Sequence, residues 1–350
     1  MKRKFSRKAL VALFAVSALA LSACSSGDDA SGDVKVSLIL KNQTNPFFVS
    51  MVKGAEAKAA ELGIDLTISS GKEEGDDAAQ IAAIENAISA KHAGIVITVM
   101  STNVNAAITK AREAGLLVIA LDTPTDPADI ADITFATDNR EAGRLIGQWG
   151  AKKLGGQKAV IALLNIFDDR VSPVDYLRDN GFLEGMGIPV NDPNKMADEA
   201  KKGKYSGGDY EIVGNVATGA NEDGGRSGME KLLARNPNIN IVYTINEPTA
   251  IGACAALKAA KKTAIMVSVD GGLSGIEAVK SGCIGATSQQ YPLRMADIGL
   301  QAIYDLVQSG KKPEVTPGKD FFDTGVTLIT DDPQDGVPSE STQYGIDNAW

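Results

Sequence analysis

The sequence has one histidine, His92, no CxxC pair of cysteines, and none of the glycine-rich motifs that hold phosphates or dinucleotides. The residue sets for histidine-rich metal sites, thiol redox chemistry and nucleotide binding are therefore missing. His92 stands at a predicted break between a helix and a strand, where a lone histidine is typical of a solvated loop. An enzyme is not excluded, but its usual catalytic residues are lacking, and no cofactor or metal is expected.

Aromatic residues are also scarce, at 5% of the chain, and acidic residues outnumber basic ones by 44 to 35. The acidic balance argues against nucleic acid or anionic lipid as a partner. Two phenylalanines, Phe47 and Phe48, are nevertheless adjacent in "TNPFFVSMVKG", between a strand-like run and a helix-like run. A hydrophobic core does not obviously need two rings in such a connection.

The N-terminal residues have the parts of an export signal: a basic start, an apolar stretch from Ala9 to Leu21 and small residues before Cys24. "LSAC" at 21 to 24 resembles the lipobox of bacterial lipoproteins, which implies cleavage after residue 23 and a lipid on Cys24. Plain secretion with an incidental cysteine is the alternative. We expect a flexible tether at 24–33 and an extracytoplasmic protein anchored by lipid to the cell membrane.

Two further cysteines, Cys254 and Cys283, follow in the predicted mature chain. A disulfide is chemically possible outside the cytoplasm. Because the sequence does not show that the two Cα atoms approach each other, free buried thiols are the favoured expectation.

Short apolar runs such as "VKVSLIL" and "GIVITV" alternate with alanine-rich helical patterns along most of the chain. This alternation predicts parallel sheets covered by helices on both faces, that is, a doubly wound α/β fold. The pattern restarts at "KAVIALLNI", and we expect two similar lobes. Residues 190 to 210 are predicted to form a surface loop, and the tail after residue 330 to have no helix or strand.

Polar residues follow the predicted strands at the edge where open parallel sheets bind ligands: Asn45, Asp122, Thr123, Asn246, Glu247 and Asp270. Each of them could instead cap a helix. As a set they favour a polar pocket suited to a neutral polyol, since Asp accepts hydroxyl hydrogen bonds and Asn both donates and accepts. Phe47 and Phe48 could cover the apolar face of a sugar, the alternative being that they pack in the core.

The segments "TNPFFVSM", "YLRDNGF", "TINEPTAIGA", "VSVDGG" and "GATSQQYP" make the chain similar to the sugar-binding proteins of ABC transporters of the ribose/galactose-binding type (periplasmic binding protein type I). The similarity is greatest to the fructose-binding subgroup. It implies two lobes joined by a hinge of three crossings. The N-terminal lobe would comprise 35–137 plus 292–320, and the C-terminal lobe 138–291 plus 321–350.

Carried over by motif, the resemblance implies a set of ligand contacts made by Asn45, Phe47, Phe48, Asp122, Asp138, Arg178, Asn246, Asp270 and Gln290. Thr123 stands where the ribose-binding pattern has an arginine, which removes a donor and leaves room. The second-lobe aromatic of the pattern is also missing, so Asn221 is a candidate to face the ligand.

The resemblance implies a monomeric binding protein, without enzymatic activity, that captures a monosaccharide and delivers it to the membrane permease of an ABC importer. Fructose is the favoured ligand, and ribose, xylose or another pentose or hexose is the alternative. A sugar-sensing receptor of the same fold also remains open. A transcription-factor domain is rejected because a signal sequence occupies the N-terminus, and an enzyme would need Asp122 and Asp270 as a pair of carboxylates flanking a glycosidic bond.

Overall fold

The computed structural model describes residues 34–350. The predicted signal peptide at 1–23, the lipidation of Cys24 and the tether at 24–33 lie outside these residues. Within them, no helix has both the length and the apolar character that a membrane span requires.

The first half of the described chain alternates strands with helices, as the hydrophobic pattern predicts. Its elements are β1 (Val34–Leu40), α1 (Pro46–Leu62), β2 (Ile64–Ser70), α2 (Asp77–Ser89), β3 (Gly94–Ile97), α3 (Asn105–Glu113), β4 (Leu117–Leu121) and β5 (Ile133–Ala136). The strands β3 and β5 are buried along their whole length, as expected for a sheet with helices on both faces.

The second half repeats the alternation. Its elements are α4 (Asn139–Lys153), β6 (Ala159–Asn165), α5 (Pro173–Met186), β7 (Lys202–Tyr205), β8 (Gly208–Ala217), α6 (Glu222–Arg235), β9 (Ile241–Thr244), α7 (Glu247–Ala259), β10 (Ile265–Asp270), α8 (Leu273–Lys280), β11 (Ala286–Gln289), α9 (Pro292–Ser309), β12 (Phe322–Asp323), β13 (Thr327–Ile329) and α10 (Thr342–Asp347).

The strands form two sheets. One is entirely parallel with the order β12-β5-β4-β3-β1-β2, and the other has the order β13-β11-β10-β9-β6-β8-β7. Only the two edge strands β13 and β7 run antiparallel to their neighbours in the second sheet. The predicted fold class, two doubly wound lobes, is confirmed.

The chain passes between the sheets three times: after β5, after β11 and between β12 and β13. Between the second and third crossings, helix α9 packs its buried Met295 and Leu300 into the core of the first sheet. The pairing of β12 with β5 places Phe322 and Asp323 in the first sheet, beyond the boundary expected at 320. The remaining lobe boundaries stay a prediction.

Two segments that were expected to be irregular are ordered, so those predictions are wrong. Residues 202–210 belong to the antiparallel pair β7 and β8, because the turn residues 206–207 let the chain reverse. The tail contains α10, whose first residue Thr342 donates from its backbone N–H and its hydroxyl to Asp331, at 2.9 and 2.7 Å. A capping contact that is distant in sequence leaves no local pattern.

The expectation of free thiols at Cys254 and Cys283 is also wrong. The two residues form a disulfide with their Cα atoms 5.9 Å apart, a normal separation for this bond. Helix α7 carries Cys254, and Cys283 follows α8. Both helices pack on the same apolar cluster of the second lobe, which brings the two sulfur atoms together.

Candidate ligand-binding cleft

A small cavity of about 30 Å³ lies where strand ends of the two sheets face each other. Its lining comes from both lobes and comprises Lys41, Asn45, Phe47, Phe48, Glu74, Asp122, Ile166, Val174, Arg178, Ala220, Ile245, Asn246 and Asp270. Seven of the sequence-predicted residues are in this set, so the structure brings most of the predicted cleft together.

Arg178, on α5, is the centre of the polar lining and is only 4% exposed. Its guanidinium donates to Asn139 Oδ1 at 2.8 Å, to the carbonyl of Ile245 at 3.0 Å and to Asp122 Oδ1 at 3.2 Å. Asp270 Oδ1 lies 3.7 Å from the same guanidinium. Arg178 therefore links a carboxylate after β4 of the first sheet to one at the end of β10 of the second.

The two carboxylates that flank Arg178 sit on uncommon backbone conformations. Asp122 has φ +63° and Asp270 has φ +143°, both in the region that L residues rarely adopt. Such conformations cost of order 1–3 kcal/mol each and persist where surrounding contacts fix them, often at functional sites. The strained turns aim both carboxylates into the cleft.

Burial raises the pKa of two carboxyl groups of this lining. Desolvation raises the pKa of Asp270, although the nearby Arg178 guanidinium and a hydrogen bond from Gln290 Nε2 at 2.9 Å act in the opposite direction. Burial likewise raises the pKa of Glu74. Raised carboxyl pKa values show how costly it is to keep acidic groups in this dry space.

Phe47 and Phe48 occupy both places considered for them, the wall of the cavity and the hydrophobic core. The rings line the cavity and also belong to the core cluster under the first sheet. They meet edge to face with centroids 5.4 Å apart, and Phe47 meets Trp350 in the same way. The aromatic wall is therefore rigidly supported from behind.

Asn45 and Asn246 both cap a helix and face the cavity. Asn45 accepts from the backbone N–H of Phe47 at 3.0 Å, and Asn246 accepts from Thr249 at 3.1 Å. Capping and pocket formation are thus compatible here, and Asn246 Nδ2 also donates at 3.0 Å to the carbonyl of Ala220, another residue of the lining.

Four predicted residues do not line the cavity. Thr123 and Gln290 lie behind the lining. The Thr123 hydroxyl donates to Asp122 at 2.9 Å, and Gln290 Nε2 donates to Asp270 at 2.9 Å. Asp138 caps α4 and pairs with Lys319 at 2.7 Å, and it lines a separate cavity near the first crossing. Asn221 is exposed and caps α6 through Gly224 N–H at 2.8 Å.

Lys41 and Glu74 line the cavity but were missed by the sequence analysis. They form a buried ion pair at 3.3 Å, and Asn42 Nδ2 donates to Glu74 at 3.0 Å. Lys41 directly follows β1, and Glu74 follows β2 by four residues. The rule that polar residues after parallel strands gather at one edge would have found both.

Contacts between the lobes also close the rim of the cleft. Arg170, in the loop after β6, donates to the carbonyl of Gly75 at 2.7 Å and pairs with Asp77 at 3.0 Å. The backbone N–H of Thr102 donates to the carbonyl of Val171 at 3.0 Å. These rim contacts hold the two lobes together beside the cavity.

The cleft has no residue set for a metal. Among residues 34–350, no group of three or more histidine, cysteine or acidic side chains is arranged to hold one.

A family model described as a periplasmic binding protein domain matches residues 36–312. The ribose import binding protein of Haemophilus influenzae is 29% identical to this chain over 309 residues, covering 88% of this chain and 96% of that protein. The D-allose-binding periplasmic protein of Escherichia coli is 26% identical and covers 84% and 91%.

Among solved structures, an ABC transporter solute-binding protein from Agrobacterium vitis with bound D-fucose has a TM-score of 0.73 and 24% identity, covering 90% of this chain and all of that one. A galactofuranose-binding protein has a TM-score of 0.71 and 23% identity, covering 84% and 94%. At these identities the structural likeness shows the two-lobed fold.

Proposed function

We propose, on the premise that this chain belongs to the periplasmic binding protein domain family, that it captures a neutral monosaccharide between its two lobes. The bound sugar would be delivered to the membrane permease of an ABC importer. The protein acts by binding and release rather than by catalysis.

The observation that carries this proposal is Arg178 held between Asp122 and Asp270, next to two phenylalanine rings. Carboxylates accept hydrogen bonds from vicinal hydroxyls, and a guanidinium donates to them in a fixed plane. The rings of Phe47 and Phe48 offer an apolar surface to the C–H face of a sugar. The three kinds of surface that a pyranose or furanose needs thus occur together.

A neutral ligand fits the charges of the lining better than a phosphorylated one. Both cationic groups of the lining, Lys41 and Arg178, are already within 3.3 Å of a carboxylate oxygen. A sugar phosphate would compete with Glu74, Asp122 and Asp270 for these cations, without a free one to pair with.

Relatives with the same domain arrangement support a sugar as ligand, since their names specify ribose and allose. Within this class we favour D-fructose, with ribose, xylose or another pentose or hexose second. Thr123 donates its hydroxyl to Asp122 and lies behind it, so it offers the cleft no donor of the kind an arginine would supply.

A thermal melting panel tests this proposal. Fructose, ribose, allose, xylose, glucose, galactose, arabinose and inositol are each added at millimolar concentration. A ligand that binds only the folded state adds about 2.7 kcal/mol at a hundred times its dissociation constant, which raises the melting midpoint measurably. A shift with another sugar but not fructose would overturn the specificity, and no shift with any sugar would overturn the proposed function.

We further propose that the mature chain begins at Cys24 and is anchored by lipid on that residue at the extracytoplasmic face of the membrane, as a monomer. Replacing Cys24 by alanine should move the protein from the membrane fraction to the soluble fraction. Equal distribution of both forms between the fractions would contradict the anchor.

A further inference from the structure

The turn that carries Asp270 into the cleft is held by a carboxylate from a neighbouring helix. Glu247, the first residue of α7, accepts from the backbone N–H groups of Gly271 at 2.8 Å and Gly272 at 3.0 Å. It also accepts from the Thr287 hydroxyl at 2.8 Å. These three donors occupy both oxygen atoms of a side chain that is only 2% exposed.

The surroundings are shaped to admit this carboxylate. Gly275, in α8, has no side chain, and a Cβ at its position would lie 1.8 Å from the carboxyl carbon of Glu247. Gly271 has φ +71°, and a Cβ there would lie 2.4 Å from the side chain of Gln289. Both glycines are thus required by the close approach of Glu247 and of β11 to the turn.

Two adjacent residues at the start of α7, Asn246 and Glu247, have different roles. Asn246 turns its amide into the cleft, whereas Glu247 turns into the lobe and holds the Asp270 turn. One short segment therefore fixes the relative positions of two cleft side chains on different elements.

The same device occurs a second time in this lobe. Asp175, one turn before Arg178 on α5, accepts from the backbone N–H groups of Ile166 at 3.0 Å and Phe167 at 3.1 Å, just after β6. Asp175 thus resembles Glu247. It is a buried carboxylate close in sequence to the cleft residue Arg178, and it holds the end of β6, which is followed by the cleft residue Ile166.

We propose that Glu247 is a positioning residue that sets sugar affinity by holding Asp270 in its ligand-facing conformation. Asp270 has an uncommon φ, and a turn released from Glu247 would relax toward ordinary conformations that no longer aim the carboxylate into the cleft. A binding site gains affinity when its contacts are held in place before the ligand arrives. This inference rests on the proposed function.

Calorimetric titration of purified protein tests it, with the sugar that gives the largest melting shift in the panel as probe. Glu247→Gln keeps the side-chain size but sets an NH₂ group against a backbone N–H. We expect about ten- to a hundred-fold weaker binding, because the substitution removes one acceptor of the turn and leaves a buried backbone N–H without a partner. Thr287→Val, which removes one donor to Glu247, should weaken binding less. It remains decisive if Glu247→Gln does not fold.

A control and a double variant separate positioning from general stability. Asp331 holds the start of α10 by similar hydrogen bonds and does not line the cleft, so Asp331→Asn should lower the melting temperature without changing affinity. If Glu247 acts through Asp270, adding Glu247→Gln to Asp270→Asn should weaken binding by less than about twofold beyond Asp270→Asn alone.

Wild-type affinity in Glu247→Gln and Thr287→Val, or fully additive losses in the double variant, would overturn the inference while leaving sugar binding intact. A wild-type protein that binds no sugar of the panel would overturn the proposed function and the inference with it.

Discussion

At the residue scale, the cleft combines ionisable side chains in opposite-charge contacts. Arg178 contacts Asp122 and lies near Asp270, and Lys41 contacts Glu74. Buried charges are tolerated only when each has a partner, so the lining can stay dry. A ligand that displaces one of these contacts must make an equivalent hydrogen bond, because a buried polar group without a partner is unfavourable. The lining is therefore selective for the positions of hydroxyl groups.

The Lys41–Glu74 pair should contribute to which sugar is preferred. We expect the double variant Lys41→Met with Glu74→Gln to weaken binding of the preferred sugar by about ten- to a hundred-fold, because charged donors and acceptors are lost. Sugars that do not reach this end of the cleft should lose less, so the ranking of the panel should change in calorimetry.

The matched control is the exposed ion pair of Lys110 with Glu85 on the same lobe, at 3.0 Å. Lys110→Met with Glu85→Gln should leave every affinity unchanged, since exposed pairs contribute little. An unchanged ranking in the Lys41 and Glu74 double variant would remove this pair from the specificity of the site.

At the element scale, α7 and α8 form the outer cover of the second sheet and are joined by the disulfide of Cys254 and Cys283. Neither cysteine lines the cleft. Helix α7 is nevertheless capped by the cleft residue Asn246 and starts with the positioning residue Glu247, so one helix belongs to both the cover and the cleft.

Removing the disulfide should therefore lower stability but not affinity. The crosslinked residues are 29 apart in sequence, and the chain-entropy model gives about 3–4 kcal/mol of stabilisation for a loop of that length. Urea unfolding of the Cys254→Ala, Cys283→Ala double variant measures the loss. Equal unfolding midpoints for the oxidised and reduced wild type would contradict a stabilising bond.

At the scale of the whole molecule, the central cavity is too small for its proposed ligand. Its volume is about 30 Å³. Because one water molecule needs about 10–15 Å³ of such a cavity, it has room for about two. A monosaccharide can enter only if the lobes separate about the three crossings. The rim contacts of Arg170 then favour the closed arrangement.

We expect small-angle scattering to show a smaller radius of gyration at saturating sugar than without it. Arg170→Ala should raise the radius of gyration of the sugar-free protein. It should also lower the affinity for every sugar by a similar factor, because it changes only the fraction of closed molecules. Superimposable scattering profiles with and without sugar would contradict hinged closure.

Stability should fall as the pH rises from about 5 to 8. Burial raises the pKa of several carboxyl groups, which are Glu74, Asp175 (to about 7), Asp179, Glu199, Glu247 and Asp270. A raised pKa means that the folded state binds more protons than the unfolded state, so stability is lost as pH rises through the folded pKa. Burial lowers the pKa of His92, so this residue makes stability rise with pH, but only below about pH 6.5.

Melting temperatures across this pH range check the sign. Asp179 Oδ2 has no hydrogen-bond partner among residues 34–350, so Asp179→Asn should flatten the slope by stabilising the protein more at pH 8 than at pH 5. Stability that rises between pH 5 and 8 would contradict the raised pKa values of these carboxyl groups.

The sequence alone was sufficient for the order and type of most elements. Apolar runs and helical periods are local properties, and strands such as β1 and helices such as α1 at Pro46–Leu62 follow the predicted alternation. The sheet-edge rule placed Asn45 near Asp122 and Asn246 near Asp270, because parallel strands of one sheet end on the same side.

Only the tertiary structure decided which way each polar side chain turns. Asp138 and Asn221 cap helix starts just as Asn45 does, but only Asn45 also lines the cleft. Asp138 pairs with Lys319 instead, and Asn221 is exposed. The Lys41–Glu74 pair, the Cys254–Cys283 bond and the grip of Glu247 on the Asp270 turn join residues on different elements. Such contacts depend on how helices and sheets pack, and a local pattern does not encode that geometry.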